Sequence, residues 1–209
     1  MTIREEERHK LIAGLVALEW EMFHCVKNKE GQAACQRIPG TFGIMRESQM
    51  LTWTREILES YRQDLEQART EGRNLLSEKY AYMMEYTDPE EYALFQDSLP
   101  QVSQETMEQI ESILRIYMKW ENVANRAYPR LRGRGHPART SLDNAEQVSV
   151  ETYLYGELKT YSTRTLCLLL AYVQQMESEG HNLVLENLTY MVHSYGYKDL
   201  ETAEAALGG

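Results

Sequence analysis

The chain has 209 residues, a net charge of −10 and 43% hydrophobic residues, which suits one globular domain with enough chain for a core and needs no staples. The acidic balance argues against nucleic acid as a partner, because phosphate binding needs clustered Lys and Arg. The apolar run over residues 11–18 is too short to span a bilayer and the amino terminus reads Ile3-Arg4-Glu5-Glu6-Glu7, so neither a membrane span nor a signal peptide is expected.

In chain order the pattern is helical throughout. A first helix is expected over about 4–28, with Leu11, Leu15, Leu18, Met22 and Val26 at spacings of three and four. A loop with Gly31, Pro39, Gly40 and Gly43 follows. A second helix over about 44–71 ends at Glu71-Gly72, where glycine supplies the left-handed stop. Asn74 then caps a third helix over about 75–86. Asp88-Pro89 opens a short helix to about 98, and Ser103 caps a long one over 104–127. An irregular stretch is expected over 128–148, then a helix over about 150–179, a stop and cap at Gly180 and Asn182, a helix over 183–195 and a short acidic helix from Asp199. No period-two run of useful length argues for sheet.

Residues 52–83 and 160–191 align at a constant offset of 108 without a gap. Thr52 pairs with Thr160, Trp53 with Tyr161, Leu58 with Leu166, Glu71-Gly72 with Glu179-Gly180, Asn74-Leu75 with Asn182-Leu183, Glu78 with Glu186, and Tyr82-Met83 with Tyr190-Met191. Upstream, Trp20-Glu21 pairs with Trp120-Glu121 at an offset of 100. A self-match occurring twice implies a duplicated helical unit with pseudo-two-fold symmetry rather than a solenoid. The expected fold is therefore all-α: a single domain over 1–209 built from two similar three-helix units, about 4–98 and 103–208.

Several motifs together resemble a known family: Glu19-Trp20-Glu21-Met22-Phe23 running on to Cys35-Gln36, Met45-Arg46-x-Ser48-Gln49, Gly72-Arg73-Asn74-Leu75-Leu76, Gly133-Arg134-Gly135, Gly156-Glu157-Leu158-x-Thr160-Tyr161-Ser162 and Tyr195-Gly196-Tyr197-Lys198. The resemblance, over about 10–202, is to the bacterial domain-of-unknown-function family 4125. It implies a small helical bacterial cytoplasmic protein and carries no activity with it.

Residue chemistry puts forward three readings. The first is a cavity between the repeats that binds a small anionic or aromatic ligand, lined by Trp20, Glu21, Trp53, Tyr153, Glu157 and Tyr161, with Arg132 and Arg134 as anion contacts in the arginine-rich segment 126–139. Plainer roles compete: the aromatics as core, the arginines as partners of acidic helices. The second is a carboxylate/histidine metal-dependent enzyme. Glu21 and His24 stand three apart on one helix face, and Glu78, Glu121 and Glu186 supply further carboxylates. Against it, Glu121 is followed at that spacing by Ala124, and Glu78 and Glu186 also suit the first turn of a helix electrostatically. The third is a protein-interaction module using acidic helical faces.

Of the three cysteines, Cys25 and Cys167 read as core residues on helices. Cys35 reads either as a small pocket-shaping residue or as a nucleophile served by His24 or His136. The odd count without a CxxC pair points to a reducing cytoplasm. No cofactor is singled out, a homodimer is left open, and the 14 tyrosines against 3 phenylalanines lead one to expect a hydroxyl-bonded polar network inside the helices.

Overall fold

The computed structural model describes residues 2–26, 34–133, 143 and 148–208; of Ala34 and Cys35 it describes the backbone alone. Eleven α-helices and no strand occur among the described residues, as the periodicity requires. The chain divides into two units, Met1–Ser77 and Glu78–Gly209.

In the first unit, α1 spans Ile3–His24. Thr2 and Glu5 satisfy its free amino-terminal N–H groups reciprocally: the Glu5 carboxylate accepts from Thr2 N at 2.6 Å and Thr2 Oγ1 accepts from Glu5 N at 3.3 Å. Its buried face is Ile12, Leu15, Glu19, Met22 and Phe23, one turn-to-turn stripe with a carboxylate inside it. α2 (Pro39–Leu51) and α3 (Arg55–Thr70) both pack on α1. α3 contributes Ile57, Leu58, Tyr61, Leu65 and Ala68, and each such buried apolar side chain stabilises by about 1.5–3 kcal/mol relative to exposure. Arg8 of α1 donates to the carbonyls of Leu51 and Trp53 at 2.7 and 2.8 Å, satisfying acceptors that the end of α2 leaves open.

The second expected helix is thus two. The chain bends at 52–54: Thr52 Oγ1 donates to Gln49 O at 2.7 Å, Thr52 N to the same carbonyl at 3.0 Å, and Trp53 N to Met50 O at 3.1 Å. Thr54 then caps α3 by accepting from Ile57 N. No glycine or proline marks this break; a threonine hydroxyl competing for a helix carbonyl produces it. At the far end of α3, Gly72 takes φ 71° and Arg73 N donates to Ala68 O at 2.8 Å, a left-handed stop of the expected kind. Asn74 Oδ1 accepts from Ser77 N at 2.9 Å and caps α4 (Leu75–Thr87), in whose first turn the division between units falls.

In the second unit, α4 is followed by α5 (Pro89–Phe95), capped by Asp88, and a 3₁₀ turn over Gln96–Ser98. Ser103 caps α6 (Gln104–Ala127), which packs against α7 (Pro129–Gly133), α8 (Val150–Leu158), α9 (Thr163–Ser178) and α10 (Leu183–Ser194). α11 (Leu200–Ala206) closes the unit on α7 and α10: the Glu204 carboxylate accepts from the N–H groups of Arg130 and Leu131 at 2.9 and 2.8 Å, and Leu188, Val192, Leu200 and Ala203 form the core beneath. The expected irregular stretch therefore begins with a helical turn, α7.

The expected helix over 150–179 is also two, separated by 159–162. Thr160 Oγ1 donates to Glu157 O at 2.7 Å, Thr160 N to the same carbonyl at 3.0 Å and Tyr161 N to Leu158 O at 3.2 Å, and Ser162 caps α9. Gly180 takes φ 79°, His181 N donates to Met176 O at 2.9 Å, and Asn182 caps α10 by accepting from Val184 N and Leu185 N. Glycine has a second use at Gly156. A Cβ there would lie 2.7 Å from both Lys79 O and Met83 Cγ, so a bare backbone is what lets α8 approach α4 so closely. No helix of the described residues is long and apolar enough to cross a membrane.

A candidate ligand cavity and the buried ion pairs around it

Three buried carboxylates organise the interior, and each unit can be taken on its own. In the first, Glu19 is fully buried and receives both arms of Arg46, Nη2 to Oε1 at 2.5 Å and Nε to Oε2 at 2.6 Å. Tyr61 Oη donates to the same carboxylate at 2.6 Å, and Gln49 Oε1 accepts from Arg46 Nη1 at 2.7 Å. A bidentate guanidinium with a phenol satisfies the buried charge, and the Trp53 ring stands edge-on to Tyr61 with centroids 5.6 Å apart.

The buried glutamate of this helix is Glu19, not the Glu21 that the sequence singles out. Glu21 and His24 are exposed, while Glu19, two residues before Glu21 and so on the opposite side of the helix, faces inward. Trp20 is half-buried against Phe42, with centroids 5.3 Å apart. Cys25 is exposed, as is Cys167 in the second unit, so neither is the core residue expected. Gln36 is buried and donates to the carbonyls of Phe23 and Val26 at 2.8 and 2.9 Å, completing the end of α1. The side chain of Cys35, and Arg134 and His136 whole, lie outside the described residues.

In the second unit, Glu157 on α8 accepts from Lys79 Nζ at 2.6 Å and from Tyr161 Oη at 2.6 Å. Tyr153 lies half-buried beside Tyr80 and Lys79. Glu157 and Tyr161 are thus brought together as expected, and the polar network expected along α8 is present. Arg132 is taken by Glu121, Nη2 to Oε2 at 2.5 Å, and burial raises the Glu121 carboxyl above the usual range against the lowering pull of Arg132. Trp120 and Glu121 are both buried whereas Trp20 is half-buried and Glu21 exposed, so the two Trp-Glu pairs do not share an environment. Glu186 lies 3.4 Å from His181, and Glu78 and Glu186 each stand in the first turn of their helix, favourable to the helix dipole. Among the described residues no three His, Cys, Asp or Glu side chains gather at metal-binding distance.

What the sequence did not bring forward is an open cavity of about 270 Å3 at the surface of the second unit, lined by residues of 82–107 together with Tyr155 and Lys159 of α8. Tyr155 and Lys159, four apart, share one helix face. Tyr155 Oη donates to Glu85 Oε2 at 3.0 Å; Lys159 Nζ reaches the same oxygen at 3.0 Å and Tyr155 Oη at 3.2 Å. The Lys159 ammonium also stands over the rings of Tyr82 and Tyr155, 4.6 and 4.8 Å from their centroids, a cation–π arrangement on two faces. Tyr82 Oη donates to Pro100 O at 2.6 Å, tying the 96–102 wall to α4. Tyr86 sits edge-on to Tyr155 at 5.2 Å. Burial first, then the Glu85 carboxylate, pushes the Tyr155, Tyr86 and Tyr92 phenols up from the usual tyrosine value. The spacing of Tyr155 and Lys159 was visible in the sequence; their convergence on Glu85, 70 residues upstream, carried no local signal.

Chemically, the cavity offers tyrosine faces, two carboxylates (Glu85 and Asp97), one neutralised ammonium and the amides of Gln96 and Gln101. That suits a small aromatic guest held by stacking and a few hydrogen bonds. No curated protein and no solved structure matches the chain. A family model described as "Protein of unknown function (DUF4125)" matches residues 9–205, the whole of the stretch that the sequence motifs pointed to, and the chain belongs to that family.

Proposed function

We propose that this chain binds a small aromatic ligand in the tyrosine-lined cavity of its second unit. The observation that carries the reading is the convergence of Tyr82, Tyr92 and Tyr155 on one cavity whose cation, Lys159, is already neutralised by Glu85. An anionic ligand is less well served: it would have to displace Glu85 from Lys159, and Arg132 is held by Glu121. Glu157 and Tyr161 act behind the wall, fixing α8 to Lys79 so that Tyr155 and Lys159 keep their positions.

The sequence repeat extends the proposal: the segments of about 4–98 and 103–208 are copies of one ancestral helical element. Supporting this, the bends at 52–54 and 160–162, the stops at Gly72 and Gly180 and the caps at Asn74 and Asn182 carry matching bonds at an offset of 108. Asn74 Nδ2 donates to Met22 O and Asn182 Nδ2 to Trp120 O, a pairing that favours an upstream offset of 98 over 100. On this reading Tyr155 and Lys159 correspond to Glu47 and Leu51, so what these two residues bring to the cavity has no counterpart in the first copy.

Native mass spectrometry on gently purified, untagged protein tests the ligand reading. The expected result is a bound organic mass, or one acquired from an aromatic fragment mixture, that is absent from a Met107→Trp variant whose indole fills the cavity. Fragment binding unchanged in that variant, or no binding to the wild-type chain at all, contradicts it.

A further inference from the structure

Resting on the cavity reading above, we infer that the site selects an organic cation, an amine or quaternary ammonium attached to an aromatic body. Three observations carry this. First, the same wall already stabilises an ammonium: Lys159 Nζ lies over Tyr82 and Tyr155 and 3.0 Å from Glu85, so the chain displays the surroundings it gives a positive nitrogen. Second, the charged residues of the lining are Glu85, Asp97 and Lys159. Lys159 is spent on Glu85, with only 9% of its side chain exposed, while Asp97 is exposed and holds no ion pair or hydrogen bond among the described residues. The lining is left with one unneutralised negative charge. Third, the ring faces of Tyr82 and Tyr155 are turned to the Lys159 ammonium, and a tyrosine face carries a negative quadrupole that attracts cations and repels anions.

The incoming cation takes the Asp97 side of the cavity, with Lys159 remaining on Glu85. The opposing charge of Lys159 sets the sign of a control: Lys159→Met removes it and tightens cation binding further.

The test uses three probes of nearly equal size, benzylammonium, benzyl alcohol and benzoate, titrated calorimetrically into the full chain. The expected result is benzylammonium binding at least tenfold more tightly than benzoate, with benzyl alcohol between, and the preference shrinking several-fold in Asp97→Asn. Asp97 is exposed and outside the core, so this variant folds. Benzoate binding as tightly as benzylammonium overturns the charge assignment and leaves the cavity reading standing. A benzylammonium preference that survives Asp97→Asn combined with Glu85→Gln also overturns it. Failure of all three probes to bind removes the cavity reading and this inference together.

Discussion

Replacing Glu19 with glutamine keeps the shape of α1 and removes one charge. The consequence falls on Arg46, whose guanidinium is buried and receives its two short carboxylate contacts from Glu19. Removing one partner of a buried pair strands the other, at about 3–5 kcal/mol. Set against a typical domain stability of about 5–15 kcal/mol and a urea slope of about 2–3 kcal/mol per M, this lowers the unfolding midpoint of the first unit by roughly 1–2.5 M. Tyr61→Phe removes one hydrogen bond to a charged group and should lose about 1.5–3 kcal/mol. The double change Glu19→Leu with Arg46→Met removes both charges and recovers most of the loss, because the desolvation of two ions disappears along with their attraction. Urea unfolding followed by tryptophan fluorescence in a Trp120→Phe background reads this, since Trp20 and Trp53 both lie in the first unit. A Glu19→Gln variant within about 0.5 kcal/mol of the parent, the range of ordinary surface changes, would refute the reasoning.

Gly156→Ala places a methyl 2.7 Å from a backbone carbonyl and should destabilise by about 1–3 kcal/mol, although alanine is the better helix former; a thermal melt checks it. Glu121 titrates with a folded value above its unfolded one, so the fold binds that proton more tightly and stability falls as pH rises through the window above about 4.5; the slope should be absent from Glu121→Gln when denaturation is followed from pH 4 to 7. Tyr155 ionises above the ordinary tyrosine value, so its neutral form stabilises the fold below about pH 10 and that contribution is lost above it; in an ultraviolet titration, Tyr155→Phe should delete a late-ionising phenol. Residues 88–103 contain no buried side chain yet form much of the cavity wall, so their amides should exchange faster than those of α6, and Tyr82→Phe, which cuts the bond to Pro100, should speed exchange around 96–102 selectively.

Helix ends were the most legible part of the sequence. Asn74, Asp88, Ser103, Ser149, Asn182 and Asp199 all cap as their chemistry predicts, because capping is settled within four residues. The breaks at Thr52 and Thr160 were not legible, since apolar periodicity continues across them and neither Gly nor Pro intervenes. Choosing between Glu19 and Glu21 required knowing which side of α1 is covered. Of the expected stripe, Leu15, Met22 and Val26 are buried and Leu11 and Leu18 half-exposed, while Ile12 and Phe23, outside that stripe, are buried too. The cavity was less legible still. Glu157 and Tyr161 form a local pair that spacing suggests, but Glu85, Tyr155 and Lys159 meet only through the packing of α4 on α8, which Gly156 permits.

The central claim is that the second unit's cavity is a ligand site, and methyl NMR of the ten methionines addresses it most directly. Met107 lines the cavity, while Met22 and Met50 are buried in the first unit. Titration with benzylammonium should move the Met107 methyl signal saturably and leave Met22 and Met50 in place. A titration that leaves Met107 unmoved, or moves Met22 and Met50 instead, would contradict the account.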